Sequence, residues 1–125
     1  MQILAGVGAA GGVVASGGQE TVTIGGTKYH VFTSSGTLTV TNGGVVSILT
    51  VGGGGSGSHY GKAGGGAGEL DLFANFTISG NLTITVGAGG TQTTLSAQGN
   101  DGGTSSVVEG ATTHQSALGL SLIHI

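Results

Sequence analysis

Residues 52–68 read GGGGSGSHYGKAGGGAG and sit between two segments whose apolar residues alternate. That juxtaposition limits the fold more than any other feature. A glycine-rich linker ordinarily joins domains and touches nothing, whereas strict alternation of apolar and polar residues marks half-buried β-strands. The tract is therefore either a free loop or a packed structure that only a backbone without side chains can build. Ordering a glycine costs roughly 0.5–1 kcal/mol more than ordering an alanine. The fourteen glycines from Gly52 to Gly90 would then cost on the order of 7–14 kcal/mol, comparable with the whole stability of a domain. An ordered tract must be held by backbone contacts that side chains would block. The extended threefold helix is such a structure, since it points N–H and C=O groups outward and admits close neighbours only at glycine. On this reading Gly52–Gly55, Gly64–Gly68 and Gly87–Gly90 form three polyglycine-II helices, with Gly102-Gly103 touching a fourth. Gly52, Gly53, Gly54, Gly55, Gly64, Gly65, Gly66, Gly68, Gly87, Gly89 and Gly90 are the structural glycines.

The flanking pattern is that of an all-β chain. Thr21–Ile24 alternates and stops at Gly25-Gly26. Lys28–Thr33 is rich in β-formers and stops at Ser34-Ser35-Gly36. Thr37–Thr41 alternates strictly and meets Asn42-Gly43, a strong short hairpin signal. Val45–Val51 is apolar on both faces, which predicts a central strand buried from both sides. Beyond the tract Glu69–Leu72 alternates, with Phe76 and Ile78 continuing on the face of Leu70 and Leu72. Ser79-Gly80-Asn81 turns the chain, and Leu82–Val86 alternates again. Asn100–Gly103 turns before a short strand at Ser105–Val108. No window combines helical spacing with a capping box. Short strands with glycine turns predict a jelly-roll-like β-sandwich over residues 19–119, with 1–18 a linker or the end of a preceding module.

Composition removes several classes of function. The 125 residues include two cations against five acids, a net charge of −3, so no basic patch exists for nucleic acid. No apolar run reaches the roughly 20 residues that span a bilayer, so no membrane insertion is expected. There is no cysteine, which excludes disulfides and thiolate metal sites. Residues 1–7 lack the basic region of a signal peptide. Residues 120–125, LSLIHI, match an in-frame translation of a sequencing-library adapter. This leads us to expect a chain cut short at residue 119, without its final strand and last glycine helix.

The order of motifs carries a resemblance. His30-x-Phe32-Thr33-Ser34-Ser35-Gly36-Thr37-Leu38-Thr39-Val40 is followed by Val46–Val51, GGGG, GGGAG and Thr85-Val86-Gly87-Ala88-Gly89-Gly90. From about Gly17 to Val108 the chain resembles the glycine-rich domain of tailed-bacteriophage virion proteins, namely tail-fibre, adhesin and minor structural proteins. It departs from them at Leu38, where phenylalanine is frequent, in its shorter glycine tracts, and in lacking a further GGGG run near the end. The resemblance implies a virion structural module, part of a tail fibre or its tip. Its partners would be other virion proteins, a second copy of the chain in a fibre, and a host-surface receptor or glycan. The alternative is a bacterial surface protein or an architectural spacer.

No enzymatic constellation stands out. Gly61-Lys62 lacks the hydroxyl neighbour and the leading glycine of a phosphate loop. His30, His59, His114 and His124 do not form a ligand pattern, and Asn100-Asp101-Gly102 reads as a turn, not a calcium loop. Glu69 and Asp71 read as a solvated strand face. Asn75-Phe76-Thr77 and Asn81-Leu82-Thr83 fit a glycosylation pattern that matters only in a eukaryotic secretory route. No cofactor, metal or catalytic residue is therefore expected. Ser58, His59, Tyr60 and Lys62 alone bring bulky polar side chains into the tract. Tyrosine among serine and glycine is the chemistry of adaptable contact loops, which makes these four the candidate contact surface.

Overall fold

A computed structural model of the chain describes residues 3–7, 12–58, 64–92 and 98–119. His59, Tyr60, Lys62, His124 and the 120–125 segment lie outside the described residues. The described strands are β1 (Ile3–Val7), β2 (Val14–Ser16), β3 (Glu20–Ile24), β4 (Thr27–Phe32), β5 (Gly36–Asn42), β6 (Gly44–Val51), β7 (Leu70–Ile78), β8 (Leu82–Thr85), β9 (Ser105–Glu109) and β10 (Thr112–Ala117). They make two five-stranded sheets, ordered β3-β4-β1-β6-β7 and β10-β9-β8-β5-β2. Every pairing is antiparallel. The protein is an all-β sandwich.

One apolar core joins the sheets. Phe32, Val46, Ile48, Phe76 and Ile78 come from the first sheet, and Leu38, Leu82, Ile84 and Val107 from the second. Burying each such side chain is worth about 1.5–3 kcal/mol, so this cluster dominates the folding free energy. The first six strands pair as a nested hairpin: β3 with β4, β2 with β5, and β1 with β6. The β2–β5 pair lies in the second sheet and the other two in the first. Winding a long hairpin so that successive pairs fall in alternate layers is the construction of a jelly roll. At its tip Gly25 and Gly26 both take positive φ, 56° and 80°, as a two-residue I′ turn requires.

Four expectations are corrected. Asn42-Gly43 does not close a hairpin, because β5 and β6 lie in different sheets. Instead the Asn42 amide donates to the Gly12 carbonyl oxygen at 2.6 Å, and a Cβ on Gly43 would overlap the Ile78 carbonyl oxygen. β6 is an interior strand, next to the β7 edge, and is buried on one face only. Val46, Ile48 and Thr50 are buried, while Val45 is 52% exposed and Leu49 and Val51 are intermediate. Leu70 and Leu72 do not share the face of Phe76 and Ile78. The β6–β7 register shifts between Val46 and Ile48, and Asn75 takes φ 57° there. This bulge turns Asp71 and Phe73 toward the core side and leaves Leu70 and Leu72 66% and 64% exposed. Residues 1–18, expected to lie apart from the sandwich, contain β1 inside the first sheet and β2 at the edge of the second. A strand also follows β9: β10 closes the second sheet after a turn in which Gly110 has φ 57°.

Strand direction positions the glycines. β6, β8 and β10 end, and β7 and β9 begin, at the same end of the sandwich, because each pairs antiparallel to its neighbour. Residues 52–56, 64–69, 87–91, 99–104 and 118–119 therefore meet there. The turns at 79–81 and 110–111 lie at the other end.

Candidate contact surface at the glycine end

Segment 52–56 runs through the middle of this assembly. Gly52 N–H donates to the Glu69 carbonyl at 2.8 Å and Gly55 N–H to the Gly66 carbonyl at 2.9 Å. Between them, Gly53 N–H donates to Gly103 at 2.8 Å and Ser56 N–H to Asn100 at 2.9 Å. The Gly54 carbonyl accepts from Gly90 N–H at 2.8 Å. Successive residues thus bond to different neighbours, and the direction returns after three residues. Steric contact has the same period. A Cβ on Gly65 or Gly68 would overlap the carbonyls of Gly55 and Gly52, and one on Gly99 or Gly102 those of Ser56 and Gly53. The spacing G-x-x-G, present at 52/55, 65/68, 87/90 and 99/102, is the sequence signal that marks these contacts.

The expected structural glycines fall into three groups. Gly52, Gly53, Gly65, Gly68, Gly87 and Gly90 meet neighbouring backbone so closely that a Cβ would overlap it. A Cβ on Gly54 would lie 3.2 Å from the Gly66 carbonyl oxygen, tighter than usual, and Gly55 N–H bonds to Gly66. A Cβ on Gly64 would meet nothing among the described residues, and one on Gly89 only ordinary contact at 3.7 Å. Gly99 and Gly119 were not among the expected set, yet a Cβ on either would overlap backbone. Alanine occurs where there is room, at the exposed Ala67 and Ala88.

Polar side chains fasten this assembly to the sandwich. Buried Ser105 donates its hydroxyl to the Val51 carbonyl at 2.7 Å and accepts from Gly87 N–H at 2.9 Å. It thus joins the end of β6 to the start of 87–91. Ser56 Oγ accepts from Asn100 N–H at 2.8 Å, and Ser35 Oγ from Val86 N–H at 3.0 Å. Glu69 is not merely a solvated charge: its carboxylate accepts from Leu118 N–H at 2.8 Å, while its own N–H donates to the Leu118 carbonyl at 3.0 Å. Asp71 contributes its backbone carbonyl, which accepts from the Gln115 amide at 2.7 Å. Of the candidate contact residues only Ser58 is described. It is half-buried, at the start of the loop that leaves Ser56.

At the far end Glu109 organises the 79–81 turn. Its carboxylate accepts from Ser79 N–H at 2.8 Å, from the Ser79 hydroxyl at 2.9 Å and from Gly80 N–H, and pairs with His114 Nε2 at 2.7 Å. His114, then the Ser79 and Gly80 donors, hold the Glu109 carboxyl down at about 2. The Ser79 hydroxyl and His114 Nε2 thus both engage the same carboxylate. His30 is packed in β4, with Nδ1 2.8 Å from the Gly17 carbonyl oxygen.

An antiparallel sandwich whose glycines form a backbone-packed assembly at one end is the class that this geometry defines. The chain belongs to the glycine-rich domain family, whose model matches residues 31–121, from β4 through all five glycine segments. The comparison with curated proteins found no match, and neither did the comparison with solved structures.

Proposed function

We propose that segments 52–56, 64–69, 87–91 and 99–104 are threefold polyglycine helices, with 118–119 packed against them, and that the sandwich holds them as a rigid, non-catalytic tip. The observation that carries this reading is the three-residue return of hydrogen-bond direction along 52–56, since a threefold helix offers a new direction at each residue and repeats at the fourth. Contact made by bare backbone leaves the connecting loops free to vary, and the loop after Ser56 holds Ser58, His59, Tyr60 and Lys62. The motif order from His30 to Gly90, which resembles that of tailed-phage virion proteins, supports reading the module as part of a tail fibre. There it would contact other virion proteins and a host-surface receptor or glycan.

The test is a loop exchange. Residues 57–63 are replaced by the equivalent loop of a homologue with a different host, and adsorption of the purified domain to both cell types is measured. Binding should follow the loop. A chimera that keeps its original preference removes the loop as the contact. A parent domain that adsorbs to neither cell type leaves the architectural spacer as the better account.

A further inference from the structure

A sandwich has four edge strands, and each edge presents unpaired N–H and C=O groups that invite another strand. Natural proteins blunt such edges with bulges. Three of the four edge ladders here carry one, on β7 and β10 themselves and, for β2, on its partner β5. The β7 ladder shifts at Asn75, the β10 ladder between Thr113 and Gln115, and the β2 ladder between Val14 and Ala15. β10 of the other sheet also reaches β7, where the Gln115 amide donates to the Asp71 carbonyl. The fourth edge, β3, is different. Its five residues pair with β4 in unbroken register from Glu20↔Val31 to Ile24↔Thr27. It contains no proline, lysine or positive φ, and among the described residues β4 is its only strand partner.

We propose that β3 is a strand-pairing edge through which two copies of this chain join their first sheets. The sequence E-T-V-T-I suits itself. In an antiparallel pair centred on Val22, all five residues find partners: Val22 meets Val22 of the second copy, Thr21 meets Thr23, and Glu20 meets Ile24. No like charges face each other, threonine–threonine and branched aliphatic pairs are favourable across strands, and Ile24, 64% exposed in one copy, gains a neighbour. The product is a continuous ten-stranded sheet with the glycine assemblies at opposite ends, since the two-fold axis reverses strand direction. This inference does not depend on where the protein operates.

The chain has no cysteine, so single cysteines report the register directly. Directly opposed residues of an antiparallel pair have Cα atoms about 4.5–5.5 Å apart, within the span of a disulfide. In V22C the two thiols face each other. In I24C they are offset by four residues, about 13 Å, too far to bridge. Sedimentation of the unaltered full chain should show a concentration-dependent doubling of mass. Mild oxidation should convert V22C, but not I24C, into a covalent dimer with an unchanged far-ultraviolet dichroism spectrum. An unaltered chain that stays monomeric to millimolar concentration overturns the proposal. So does equal cross-linking of both variants, or cross-linking of neither.

Discussion

Gly68 and Gly64 lie four residues apart in one tract, and substitution should affect them in opposite directions. A methyl group on Gly68 would overlap the Gly52 carbonyl, whereas one on Gly64 meets nothing among the described residues. Gly68→Ala should cost about 1–3 kcal/mol, as overpacking against unyielding backbone does. Gly64→Ala should be neutral or stabilise by about 0.4–1 kcal/mol by narrowing the unfolded ensemble. Urea denaturation of the two variants separates these outcomes. Equal, negligible effects would mean that the tract is not packed. A second residue-scale prediction concerns acid. Glu109 sits at about 2 in the fold against an ordinary 4.5, with the His114 pairing as the main cause. A lowered carboxyl pKa stabilises fully above the unfolded value and is lost as pH falls toward the folded one. Stability should therefore decline from about pH 4.5 to 2, and Glu109→Gln should flatten that limb in a pH series of thermal midpoints.

At the scale of elements, Ser105 is the joint between sandwich and glycines. Ser105→Ala strands the buried Gly87 N–H and Val51 carbonyl, at about 1–3 kcal/mol for the unsatisfied groups. Calorimetry should show the loss, and Ser105→Cys should not restore it, because a thiol is a poor donor. The bulge in β7 yields a companion test. Asn75→Gly should be tolerated at φ 57°, while a β-branched Asn75→Val should cost about 1–3 kcal/mol. These elements also show what the sequence made legible. β3 to β6, β8 and β9 were readable because branched aliphatics and aromatics alternate in them. β10 was not, because its buried residues are Gln115 and Ala117, which carry no hydrophobic period. β1 and β2 escaped notice because alanine, glycine and serine dilute their apolar residues. The β7 parity could not be read because a single left-handed asparagine reverses it, and nothing in the local pattern reports φ.

For the whole molecule, the glycine contact pairs join residues far apart in sequence, such as Gly53 with Gly103 and Gly90 with Gly54. Composition narrowed the tract to a free loop or a backbone-packed structure; which of the two it is, and which glycines touch, was not legible, since partners are set by the strand order. Amide exchange supplies the global check. Gly53, Gly55, Ser56 and Gly103, all donors into neighbouring segments, should be protected to a degree close to the core strands, and Gly64 should not. Non-local pairing of this kind also predicts refolding in milliseconds to seconds, with the glycine end gaining protection last. The consequence reaches beyond stability. Because β6 through β10 each deliver one strand of backbone to the same place, these contacts cannot form in the order of synthesis. A nascent chain that stops short of β9 leaves the Gly53 and Ser56 N–H groups without the carbonyls of Gly103 and Asn100, so segment 52–56 waits for backbone made some fifty residues later.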